Sequence, residues 1–456
     1  MNSIKKLSLF DSSMIVMGSM IGSGIFIVSS GMARDLGNPM YLILAWVVTA
    51  ILTILAALSY GELAASMPKA GGQYVYLKEA YGPMFGFLYG WTLFTVIQSG
   101  TIAAVAVAFA KFSAVLLPIF SENNIIFQLA NFKISAAQIL GIVVIWILTF
   151  SNFRQIKSGA FIQNIFTSAK IIALVFVILA GLYFVLNHSS ESINITSSMS
   201  SITPSLSIGV FCAALVGSIF SSDAWNNITF TASEIDKPEK NVPRSLLIGT
   251  GGVLLIYILI NIVYVNALPF ESIKNVPSDR VGTLLMQTVF GDVGAVLMAV
   301  LIMVSTFGCI NGLCLSGARV YFAMAKDKLF FKQAVNLNKN QSPQYALIIQ
   351  AIWASLLTLS GSYGDLLDYV VFAVLIFYIL TVASLFVLRK KQADLPRPYK
   401  VFAYPFLPAL YIIMASVICV SLLIYKPNYT YPGLAIVLAG IPVYFWVKKG
   451  TTVDNN

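Results

Sequence analysis

Three groups of residues in otherwise apolar sequence have the types and spacing to do chemistry. The stretch MGSMIGSGIF (Met17 to Phe26) places Gly18, Gly22, Ser23 and Gly24 in what otherwise reads as a helix. The stretch VGSIFSSDAWNNITF (Val216 to Phe230) interrupts a second apolar run with Gly217, Ser218, Ser221, Ser222 and Asp223. Lys170 stands alone in QNIFTSAKIIALVF. Glycine lets the backbone leave the helix and lets a ligand touch peptide groups directly. Amides freed at Gly22, Ser23 and Gly24 would open a second half-helix whose positive dipole end suits a carboxylate. Gly18 and Gly22, spaced G-x-x-x-G, equally fit close packing of another helix, and both readings stand. Asp223 has two readings as well. It caps a lower half-helix beginning at Ala224, or it is an acid that pairs with a cationic side chain.

The elements that must carry these residues are membrane spans. The chain is 58% hydrophobic and only 10% charged, against about 25% charged in soluble domains, and its mean hydropathy is +0.85. Apolar stretches of spanning length run over Met14–Met32, Tyr41–Ala65, Phe85–Leu117, Ala137–Phe150, Phe161–Leu186 and Ser205–Thr231. The second set covers Leu246–Asn266, Val293–Met324, Ala346–Leu359, Leu366–Leu388, Phe406–Tyr425 and Gly433–Val447. That predicts an all-α integral membrane protein of about twelve helices; barrel strands would be short and alternating, which these are not. Lysines and arginines fall twenty to six on alternate connections, which places both termini in the cytoplasm. The net charge of +10 is thereby explained by topology and contact with anionic lipid, and argues for no nucleic acid. The basic, then apolar, N-terminus lacks a small-residue cleavage site and reads as a retained first helix.

An unwound helix in a bilayer is tolerated only inside protein or beside a cavity, so each break marks a site. Four whole spans separate the two breaks, the pattern of a five-plus-five inverted repeat with a midplane site. The repeats run over 11–187, broken at 21–25, and over 205–389, broken at 217–223. The inner end of the fifth helix is marked by Arg154 and Lys157, and Lys170, near the tenth residue of the span that starts at Phe161, lies about 14 Å along the axis, close to the midplane and too deep for snorkelling. The single histidine, His188, and the cysteines Cys212, Cys309, Cys314 and Cys419 assemble no metal site, disulfide framework or Cys–His pair. No span pairs a nucleophile with a base, and no phosphate loop is present, so neither an enzyme nor a nucleotide-driven pump is expected, and no cofactor. Glu62 is expected to pair with an inner-loop base or to end its span in solvent. Asn311, Ser316 and Arg319 read as packing and inner-surface hydrogen bonding, and the connection from Glu234 to Arg244 is assigned no binding role.

IGSGIF, YGELAASMPKAGGQYVYLKEAYG, DAWNNITFTASEIDKPEKNVPRS and STFGCINGLCLSGAR together resemble the amino acid–polyamine–organocation superfamily, most of all the bacterial relatives of the L-type amino acid transporters. The resemblance implies a five-plus-five core with two further C-terminal helices over 404–448, working by alternating access as an amino acid permease or exchanger in the cell membrane. It places the substrate carboxylate on the amides of Ser23 and Gly24, with Gly22 in the same turn. The α-ammonium then faces carbonyls of Met20, Ile21, Phe220, Ser221 and Asp223, and the Phe220 ring is an outer gate. It implies that Lys170 stands in for the sodium ion of coupled relatives, with Ser305 or Thr306 as neighbours, either as a proton carrier or as a fixed charge. Ser222 and Ala224 depart from the family's common residues, so substrate preference does not carry over. Neutral amino acids are the default; a cationic amino acid or polyamine carrier through Asp223 is the alternative, and a channel or receptor the rival class. The loop Pro118 to Lys133 has no cysteine, so no disulfide-linked heavy subunit is expected; amino acid substrate and lipids are the partners.

Overall fold

A computed structural model describes residues 6–129, 132–153, 157–187, 207–340, 342–360 and 363–453. Lys5, Arg154 and His188 lie outside them. Nearly every described element is a helix. Nine are long and apolar enough to cross a membrane, ten with the bent pair Leu9–Met20 and Gly24–Leu36 taken as one span. Two shorter apolar helices, Ala136–Ser151 and Gln344–Ser360, occupy the fourth and ninth expected positions. The departures from all-α structure among the described residues are a hairpin, Ile125–Leu129 paired antiparallel with Phe132–Ser135, where the sequence reads as loop, and a single parallel bridge between Leu7 and Ile235.

The first span starts on a capping box, Ser8 and Asp11 exchanging side-chain bonds with each other's backbone amides, which satisfies amides that a helix start leaves open. It consists of α1 (Leu9–Met20) and α2 (Gly24–Leu36), bent by 41°. The second span, α3 (Pro39–Ser66), begins on the Asn38 cap with proline in its first turn, a position that costs no hydrogen bond. Its inner end leads into α4 (Gln73–Tyr81). The third span runs over Pro83–Leu116, with a five-residue π segment at Leu93–Ile97. The Trp353 indole donates to the Thr95 carbonyl there at 2.8 Å, taking an acceptor that the irregular ladder exposes. The sixth span is made of Ile208–Ala214, Val216–Ser221 and a 3-10 segment, Trp225–Glu234. The helix Val281–Lys326 is kinked at Gly291, φ 66°, a left-handed angle that glycine adopts freely; the eighth span follows the kink.

The halves of the first and sixth spans pack on the second, seventh (Pro238–Ala267), eighth and tenth (Tyr363–Lys391) spans, and α1 also packs on the fifth (Lys157–Asn187). Ion pairs gather at the two ends of the bundle. At one end Arg34 pairs with Asp279 at 2.8 Å, Lys111 with Glu122 at 3.5 Å, and Arg280 donates to the Lys111 carbonyl at 3.4 Å. At the other, Glu62 accepts two bonds from Arg389, at 2.9 and 2.7 Å, and one from the Val401 amide at 2.8 Å. Lys78 pairs there with Asp327 at 2.7 Å.

Candidate functional site

The two breaks meet. A Cβ at Gly24 would fall on the Ser221 side chain, and one at Gly217 would lie 2.9 Å from Val28 Cβ, so the outer halves of the two spans touch without side chains between them. Gly22 faces Cys309 of the eighth span, where a Cβ would come within 3.3 Å of its Sγ. Neither Gly22 nor Gly24 has positive φ. What these positions require of glycine is its small size, so the expectation that it supplies unusual backbone angles is corrected. Gly18 likewise packs against Thr167 and Gln163 of the fifth span, so the G-x-x-x-G spacing serves close packing alongside the break.

The first break spans Ile21 to Ser23. Ile21 ends α1 with extended ψ of 92°, and α2 opens at Gly24, so its first amides point back into the break. Its carbonyls are held by neighbouring spans. Lys170, 3% exposed, donates through Nζ to Gly18 O at 2.9 Å and Ile21 O at 2.8 Å. Ser305 Oγ reaches Ile21 O at 3.4 Å, whereas Thr306 bonds carbonyls of its own helix, Ile302 and Met303. Tyr257 donates to Met20 O at 3.1 Å. Ile21 O thus already accepts from two side chains, whereas Gly18 O and Met20 O each accept from one.

The second break falls later than 217–223. Gly217 and Ser218 are inside the helix Val216–Ser221, and Ser218 Oγ lies 2.7 Å from Thr49 Oγ1; the chain unwinds only at Ser222 to Ala224. Ala224 takes a left-handed φ of 64° where the helix Trp225–Glu234 starts, and no side chain caps that helix. Asp223 caps none of the amides within that helix, though its carboxylate accepts from the Ala224 amide at its start. It accepts from the Tyr378 hydroxyl of the tenth span at 2.5 Å, and Tyr378 in turn packs with Tyr60 and Trp225, ring centroids 5.6 and 5.3 Å away. The buried Ser222 hydroxyl has no hydrogen-bond partner among the described residues. Phe220 is buried beside it.

Two cavities flank the second break. The smaller, about 20 Å³, is lined by Asp223, Asn227, Gln73, Tyr89, Gln98 and the π segment, and Asp223 is the one predicted site residue on its wall. The larger, about 100 Å³, opens on the inner side between α1, the lower sixth span and the eighth span. Sequence reasoning missed its polar wall. Asn227, in WNNITF, carries no signal that sets it apart from its neighbours, and Arg319 reads in sequence as packing and inner-surface hydrogen bonding. Asn311 does bond Asn152 at 2.9 Å, and Ser316 bonds Gln98 at 3.2 Å, as packing residues do.

The sequence that builds this site has known relatives. An amino acid permease family model matches residues 7–446. The chain belongs to that family. Over 98% of its length it is 30% identical to the serine/threonine exchanger SteT of Bacillus subtilis (strain 168), covering 97% of that protein. It is 30% identical to the human large neutral amino acids transporter small subunit 2, over 97% of this chain and 80% of the relative. Identity to the mouse b(0,+)-type amino acid transporter 1 is 27%, over 97% and 87%. The molecule is thus an all-α membrane protein and an amino acid permease or exchanger, not an enzyme.

Proposed function

We propose that this permease exchanges neutral amino acids across the cell membrane by alternating access, without sodium, with both termini in the cytoplasm. The observation that carries the reading is the contact between the two breaks, Gly24 on Ser221, which puts the opening of α2 beside the unwound Ser222–Ala224 segment. A zwitterion suits both: its carboxylate takes the amides of Ser23 and Gly24 beside Gly22, and its ammonium the carbonyls of Met20, Ile21, Phe220, Ser221 and Asp223. The repeats 11–187 and 205–389 move against each other around this site, with the helices over 404–448 outside them. Lys170 supplies the cation at the first break in place of sodium. Ser222 and Ala224 add no base to the pocket, which argues against acidic substrates, and the names of the two 30%-identical relatives agree with a neutral one. With no cysteine over 118–133, the protein works without a disulfide-linked heavy subunit.

The test is a competition panel of neutral, cationic and acidic amino acids against serine uptake, on wild type and Asp223→Asn. Because Asp223 holds Tyr378, an amide keeps an acceptor there, and neutral uptake is expected to persist within about threefold, the loss of one charge-assisted but neutralisable bond. Selective loss of arginine or lysine uptake in that variant would instead make the protein a cationic amino acid carrier.

A further inference from the structure

The larger cavity is walled by two facing helical stripes. From the lower sixth span come Asn227, Thr231 and Glu234; from the eighth come Gly312, Ser316 and Arg319. Glu234 and Arg319 form an ion pair at its inner end, their side chains 31% and 21% exposed. At the other end Asn227, 3% exposed, lines both this cavity and the small one beside Asp223. Its Nδ2 has no hydrogen-bond partner among the described residues. A buried amide donor left unpaired is unusual and points to a missing acceptor. The cavity therefore offers an amide donor at depth and one group of each charge at its mouth. Gly312 keeps the wall open: a Cβ there would meet only Gln163, at an ordinary 3.6 Å.

We propose that this cavity is a second, inner amino acid site, in which Arg319 takes the α-carboxylate and Glu234 the α-ammonium of a zwitterion on its way to or from the break. The inference rests on the carrier function proposed above. In the unliganded arrangement the two side chains neutralise each other. A free amino acid carries the same two charges on groups bonded to one carbon, so it can insert between them and leave neither head group without an opposite partner. The planar guanidinium matches a carboxylate with two parallel bonds. Asn227 then passes the ligand's carboxylate oxygen between the cavities. An ion pair serving only to shut the inner end would need neither the open volume beside it nor the unpaired Asn227 amide.

The experiment measures half-saturation for radiolabelled serine separately from each face, in liposomes that carry the full-length protein in one orientation. Glu234→Gln removes the ammonium partner, and Gly312→Val fills the cavity while keeping the ion pair. Each is expected to raise half-saturation from the inner face roughly tenfold and to leave the outer value as in wild type. If Glu234→Gln lowers the inner value while raising the outer one, and Gly312→Val changes neither, the pair is only a gate and the inner site is overturned. Unchanged values in both variants overturn it too, with the carrier function intact. Wild-type protein that moves no serine from either face would remove the carrier reading itself, and the inner site with it.

Discussion

Replacing Lys170 by alanine removes the donor that the Gly18 and Ile21 carbonyls share, hydrogen bonds from a charged group being worth about 1.5–3 kcal/mol each. With the carbonyls of the first break no longer tied to the fifth span, exchange is expected to fall at least about tenfold in protein that still elutes as wild type on size exclusion. Uptake above half of wild type would show that the lysine only packs. That it faces the protein interior, 3% exposed, was legible because a lysine far from either end of an apolar helix has no short way to water. Asp223 was legible as a polar residue in a span but not as a partner of Tyr378, which lies 155 positions away. The Glu234–Arg319 pair hid for the same reason: each residue reads alone as an ordinary inner-surface charge, and only the folded chain brings them to one cavity.

At the scale of elements, the breaks announced themselves because glycine, serine and aspartate are costly in an apolar helix unless something uses them. The position of the second break, at Ser222 to Ala224, did not, since Gly217 and Ser218 serve contacts with the first and second spans inside an intact turn. The π segment was invisible because LFTVI is an apolar run like any other, and the hairpin because its strands are short. The meeting of the half-helices makes a paired prediction. Gly24→Ala drives a Cβ onto Ser221, an overpacking expected to cost about 1–3 kcal/mol and to abolish exchange. Gly31→Ala, seven residues on in α2, meets only Arg34 at 3.6 Å and should leave both melting temperature and uptake near wild type. Equal tolerance of the two substitutions would mean that the breaks do not work in contact.

For the whole molecule, the partition of basic residues between alternate connections was readable in advance, and the structure gathers Arg34, Lys111 and Arg280 at one end and Lys78, Arg389 and Arg397 at the other. The folded chain adds ties at both ends of the bundle, Arg34 to Asp279 at one and Glu234 to Arg319 at the other. A sodium ion beside Lys170 would face a like charge in a medium of low effective dielectric, where repulsion over a few ångströms amounts to several kcal/mol. The most direct test is therefore counterflow in sodium-free buffer: liposomes containing purified protein are loaded with unlabelled serine, diluted into trace labelled serine, and followed with time. Transient accumulation of label above equilibrium, saturating with substrate and unchanged by added sodium, is the expected result. Label that only equilibrates, without saturation, would make the protein a channel, and accumulation that appears only with sodium would contradict the role given to Lys170.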